Sequence, residues 1–168
     1  MPSAADRRSL FATLVLLTVI LDRLTKMWAE RTLALRGVVP VVGDTIQLRL
    51  VYNPGAAFGL NLGSWSRWAF LSIAVIAIIL LYRMAQHALP FDRLRQFSVG
   101  FVAGGAAGNL VDRILSSRGV VDFIDVGVNS VRWPTFNVAD IAVSCGAIVL
   151  AFSLWREDAR RATASVST

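Results

Sequence analysis

Hydrophobic positions along this chain gather into four long runs, and stretches of strict alternation lie between them. The first run, LFATLVLLTVIL at 10–21, covers as a helix roughly 18 Å of a hydrocarbon layer ~30 Å thick, so it is too short alone. Continued through Asp22, Arg23 and Lys26 to Trp28 it becomes long enough. It then predicts a first span over 10–28 with Asp22 and Lys26 at i and i+4, facing each other one helical turn apart. Arg7 and Arg8 ahead of an apolar core also look like the start of a cleavable leader. No small-x-small cleavage site follows and further spans come later, so a retained span is expected. The second predicted span, 65–82 (WSRWAFLSIAVIAIILLY), carries Trp65, Trp68 and Tyr82 as interfacial aromatics. The third, 97–115 (FSVGFVAGGAAGNLVDRIL), repeats Gly100, Gly104 and Gly108 with Ala103 and Ala107 beside them, a pattern that lets a neighbouring helix approach closely. The fourth, 138–155, is apolar except for Asp140 near its start.

Between these runs the period changes. In TIQLRLVY at 45–52, Ile46, Leu48, Leu50 and Tyr52 alternate with Thr45, Gln47, Arg49 and Val51, the mark of a half-buried strand, and Asn53, Pro54 and Gly55 then make a turn. In VVDFIDVGV at 120–128 the alternation puts Asp122 on one face with Val120, Ile124 and Val126, and Asp125 on the other with Val121 and Phe123. The expected fold is one integral membrane α-helical domain over 1–168. Four transmembrane helices carry a small extracytoplasmic β-sheet subdomain built from the two outer connections, 29–64 and 116–137. The loop 83–96 and the tail 156–168 lie on the cytoplasmic side.

Composition supports a membrane rather than a soluble protein. Mean hydropathy is +0.60, and 17% of residues are charged against about 25% in soluble chains. The net charge of +6 could suggest nucleic acid, but the basic residues are scattered and form no aromatic-interleaved patch, so no nucleic-acid partner is expected. Eight of the 17 basic residues fall on the side of the termini. Those segments are short and flank the membrane, which orients both termini to the cytoplasm. Cys145 is the only cysteine and His87 the only histidine, which excludes an intrachain disulfide and makes a His-based metal site improbable.

Five acids gather near the outer boundary: Asp22, Asp112, Asp122, Asp125 and Asp140. Ionisable groups there are costly and need a partner or a purpose. Asp22 has one in Lys26, a structural ion pair. Asp112 and Arg113 close the third span, and Arg113 stands one turn from Asn109; they are either a satisfied helix end or part of a site. Asp140 also has two readings, because Asn137-Val-Ala-Asp140 resembles a capping box. Asp122, among Val120, Ile124 and Val126, gains nothing from burial unless it is paired. Two carboxylates at one dehydrated boundary suggest a dyad in which one keeps a proton while the other activates water. Rival nucleophiles fare badly. The only lysine is matched with Asp22, and Cys145 and His87 are predicted on different levels of the membrane. A different class also fits buried charge: a small polytopic binding or transport subunit with a charge path, which predicts carboxylates near mid-depth on several helices.

The order of motifs is specific where each alone is weak. Asp22-x-x-x-Lys26, Asn53-Pro-Gly-Ala-Ala-Phe-Gly59, Gly108-Asn-Leu-Val-Asp-Arg113, Val120-Val-Asp-Phe-Ile124 and Phe136-Asn-Val-Ala-Asp140 occur in succession among the four spans. In this the chain resembles the lipoprotein signal peptidases, the type II signal peptidases of bacterial plasma (inner) membranes. The resemblance implies an aspartic endopeptidase with Asp122 and Asp140 as its catalytic pair. It further implies Asn53, Asn109, Arg113 and Asn137 around the site, and Asp22, Lys26, Asp112 and Gly108 holding the helices in register. Implied substrates are prolipoproteins whose cysteine carries a diacylglyceryl group, cut just before that cysteine near the extracytoplasmic face. Membrane lipids surround the protein, no metal or organic cofactor is implied, and a monomer suffices.

Overall fold

The computed structural model describes residues 4–54, 63–87 and 92–166. Four helices dominate: α1 (Ala4–Arg36), α2 (Ser66–His87), α3 (Arg93–Leu115) and α4 (Val138–Val166). Strands β1 (Val39–Val42) and β2 (Ile46–Asn53) follow α1, and β3 (Val120–Val128) and β4 (Val131–Arg132) lie between α3 and α4. They form one antiparallel sheet in the order β1-β2-β3-β4. The alternating segments thus form its two central strands. The outer strands β1 and β4, which carry no alternation long enough to read, pair onto them. Gly55, the last residue of the turn expected at Asn53, Pro54 and Gly55, lies outside the described residues, as does the rest of the motif to Gly59.

Among the described residues two helices are long and apolar enough to cross a membrane, Ser66–Gln86 and Val138–Ala159. In α1 the apolar run is broken by Asp22, Arg23 and Lys26, and α3 is lightened by glycine and ends in charge. The helices outrun the hydropathy limits. α1 continues past Trp28 to Arg36 because Ala29 and Leu33 are buried against Phe123 of the sheet, so this part of the outer connection is helix.

Helix α3 is the hub, packing on α4, α1 and α2. Its missing side chains make this possible. A Cβ on Gly104 would lie 2.6 Å from Thr18 Cβ of α1, and one on Gly108 would lie 2.6 Å from Asp22 Oδ2. At Gly105 it would overlap the Ala139 carbonyl oxygen of α4 and come within 2.7 Å of Val143 Cγ2. Near the other end of the bundle, Phe11, Leu81, Ala85, Val99 and Ala103 join α1, α2 and α3 in an apolar cluster. Because α4 cannot retreat from Gly105 without losing its seam, Gly105→Ala is expected to destabilise by about 1–3 kcal/mol. Thermal unfolding in detergent checks this, with Ala106→Gly as the comparison for a helix change away from the overlap.

Candidate active site

The site is built where the first turn of α4, the start of β3 and the last turns of α3 meet. Asn137 stands at its centre, fully buried. Its side-chain Oδ1 accepts from the Asp140 amide at 2.9 Å, while its own backbone amide donates to Asp140 Oδ2 at 3.2 Å. The reciprocal capping box read from the sequence is therefore formed. It does not exhaust Asp140, whose Oδ1 accepts from Asn109 Nδ2 at 2.8 Å. The capping and site readings of Asp140 coexist, one on each carboxylate oxygen.

Asp122 enters from β3 and is 3% exposed, against ordinary half-burial for Asp140. Its Oδ1 accepts from Asn137 Nδ2 at 2.7 Å and its Oδ2 from Asn53 Nδ2 at 3.2 Å. Asn53 is brought there by the end of β2, opposite Val120 in the ladder. Its close approach depends on Gly119, whose φ of +102° favours glycine and where a Cβ would overlap the Asn53 carbonyl. Burial, reinforced by the nearby Asp140 charge, pushes the Asp122 carboxyl up from 3.8 to about 7, against the opposing hydrogen bonds from Asn137 and Asn53 and the Lys26 charge. Two carboxylates joined through one asparagine, one of them disposed to hold a proton near neutrality, can perform general acid–base chemistry on a bound water.

Beneath the pair lies an ion cluster. Lys26 Nζ, wholly buried, is 2.8 Å from Asp22 Oδ2, 2.9 Å from Asp112 Oδ2 and 2.9 Å from Asn109 Oδ1. The pairing of Asp22 with Lys26 is as expected. The resemblance grouped Lys26 with Asp112 and Gly108 of α3, and the contacts of Lys26 to Asp112 and Asn109 join residues more than 80 positions apart. Asp22 Oδ1 also accepts the Ala139 amide at 2.9 Å, and Asp112 accepts from Val121 N at 3.2 Å and from Arg23 at 3.3 Å. Arg113 Nη1 donates to the Asn109 carbonyl at 3.1 Å, and its guanidinium lies 5.5 Å from the Phe70 ring centroid. The buried Nε of Arg113 has no hydrogen-bond partner among the described residues. Arg67, missed in the sequence, caps the end of α3 through the Arg113 and Ile114 carbonyls. Asp125 stands apart: Arg132 at 2.7 Å and Arg49 at 3.5 Å engage it within the sheet. Among the described residues no group of three His, Cys, Asp or Glu is arranged to hold a metal.

A family model described as Signal peptidase (SPase) II matches residues 14–156. The chain belongs to the signal peptidase II family. Curated relatives within reach of this family assignment include the lipoprotein signal peptidase of Cupriavidus necator, 40% identical over 154 residues, covering 88% of this chain and 84% of that one. That of Burkholderia mallei (strain SAVP1) is 36% identical over 140 residues, 82% of each. Among solved structures, a bacterial membrane enzyme obtained by the in meso method at 2.3 Å superposes with a TM-score of 0.77 at 26% identity over 89% of this chain and 90% of its own. A second, at 1.9 Å, gives a TM-score of 0.75 at 28% identity over 86% and 91%. The signal peptidase II assignment makes this chain a membrane peptidase.

The raised Asp122 carboxyl has a consequence for stability. Between pH 3.8 and about 7 the folded state holds a proton that the unfolded state has released, so stability falls as pH rises through this window. Asp122→Asn removes the cost of ionisation. It is expected to raise the melting temperature by about 2–4 °C at pH 8 and by much less at pH 4, read by thermal unfolding at both values.

Proposed function

We propose that this protein removes signal peptides from prolipoproteins by aspartic catalysis, with Asp122 and Asp140 as the catalytic pair. The observation that carries this is Asn137, which binds Asp122 Oδ1 through its side chain and Asp140 Oδ2 through its backbone, bringing acids from β3 and α4 to one point. The cut falls before the diacylglyceryl-modified cysteine. In this reading one aspartate accepts a proton from water as it attacks the scissile carbonyl. The other, protonated, donates to the carbonyl oxygen and later to the departing amine, after which the roles reverse. Asn53, Asn109 and Asn137 hold the two carboxylates. Arg113, whose Nε has no partner among the described residues, orients a carboxylate or the lipid-bearing region of the substrate. Asp22, Lys26, Asp112 and Gly108 keep α1, α3 and α4 in register.

All four helices cross the bacterial plasma membrane in this proposal, with both termini cytoplasmic and the sheet outside. Apolar side chains such as Leu17, Ile76, Ile79 and Ile148 face outward from the bundle and suit contact with lipid. A signal peptide enters from lipid between the spans, and its acyl chains stay in hydrocarbon while only the scissile bond reaches the acids. Both aspartates come from one chain, so a monomer is sufficient. The charge-path reading is disfavoured, because Asp22, Asp112, Asp122 and Asp140 gather at the sheet end of the bundle instead of along it.

The test is cleavage of a lipidated prolipoprotein by purified protein, with folding checked separately. Asp122→Asn and Asp140→Asn are each expected to lower kcat by about 1,000-fold or more. Asp125→Asn, whose carboxylate serves Arg49 and Arg132, is expected to retain activity within about tenfold. Full activity in either of the first two variants removes the dyad.

A further inference from the structure

The two carboxylates are not equivalent, and the cause lies outside them. Asn109 Oδ1 receives two donors, Lys26 Nζ at 2.9 Å and Asn137 Nδ2 at 3.1 Å. Both of its lone-pair directions are used, and only the N–H side of the amide remains for Asp140, 2.8 Å away. An amide turned over would set its N–H group against an ammonium, which has donors only. Lys26 cannot move off, because Asp22 and Asp112 hold it and it has no exposure to water. We infer that Lys26 is a positioning residue: it locks the Asn109 amide with its N–H toward Asp140, so that Asp140 serves as the water-activating partner and Asp122 as the proton-donating partner of the pair. This rests on the peptidase reading above and deepens it.

Several observations agree. Each carboxylate accepts two N–H groups, Asp122 from Asn137 and Asn53 and Asp140 from Asn109 and the Asn137 amide, so position and burial separate them: Asp140 lies in the first turn of α4, where the helix dipole favours negative charge. Asp122 is the more buried of the two, and its carboxyl is pushed up to about 7. The other charged groups around Asp140 are Asp122 from β3, Arg113 and Asp112 from α3, and Lys26 and Asp22 from α1. Of these, Lys26 reaches the Asp140 carboxylate through the Asn109 side chain, and Asp122 is linked to Asp140 through Asn137.

The experiment is the pH dependence of kcat/KM for a lipidated prolipoprotein, using the full chain in proteoliposomes. A base that loses its donor needs higher pH to ionise. Asn109→Leu is therefore expected to move the acid limb up by about one pH unit and to lower kcat/KM about tenfold below that limb. Lys26→Met should move the limb equally, and the double variant should move it no further. Lys26→Arg, still a pure donor and cation, should leave the limb in place. A role confined to helix register would lower kcat at every pH with the limb unmoved, or give shifts that add in the double variant; either result overturns the inference. Should Lys26→Met fail to fold, two further variants carry the test. Asp22→Asn/Lys26→Met/Asp112→Asn removes the ion cluster as a unit, and Asn109→Asp keeps Lys26 in place while deleting the N–H donor. An unmoved limb in Asn109→Asp overturns the inference by itself. Wild-type protein that cleaves nothing at any pH would instead mark the failure of the peptidase reading.

Discussion

One ammonium group sealed from water organises the end of the bundle. Desolvating a charge costs several kcal/mol, and the cost is recovered only when every donor finds a well-placed acceptor. Lys26 does so with Asp22 on its own helix and with Asp112 and Asn109 on α3. Each acceptor then has a second obligation. Asp22 takes the Ala139 amide of α4, Asp112 takes the Val121 amide of β3, and Asn109 turns its amide to Asp140. Three helices and the sheet are thereby referred to a single atom. Losing that cation would leave two buried carboxylates with Arg23, 3.3 Å from Asp112, as their remaining ion-pair partner among the described residues, a larger penalty than any single contact in the cluster suggests.

The cluster can close only because α3 offers almost no side chains at its seams. Gly104 lets Thr18 approach, Gly105 receives the Ala139 carbonyl, and Gly108 lies against the Asp22 carboxylate. Small residues substitute for the hydrophobic driving force that is missing between helices in lipid. Polar contacts then hold a geometry that packing has allowed.

Legibility in the sequence followed the range of the interactions. The central strands announced themselves through alternation, and 120–128 was delimited as it is observed, although β3 is buried on both faces over its first four residues. The pairing of Asp22 with Lys26 was readable for the same reason, being one turn apart. Strand β1, only four residues long with Pro40 inside it, and the two-residue β4 have no such signature and exist through their neighbours. Hydropathy found the apolar cores of the helices but not their ends, since α1 is carried to Arg36 by contact with the sheet. The motif order pointed to Asp122 and Asp140. Yet the alternation alone could not say that Asp125, three residues on, serves Arg132 and Arg49 while Asp122 faces Asn137. That division is made by the partner strands, which lie far away in the chain.

The overrun of α1 gives the protein a built-in gauge. Lys26 and Leu33 sit on one unbroken rod, the first anchoring the acids and the second buried beneath the sheet beside Phe123. Seven residues of helix separate them by about 10.5 Å, and a single inserted residue would swing Leu33 round by about 100°. The height at which the sheet, and Asp122 with it, is held above the ion cluster is therefore metered by helical pitch.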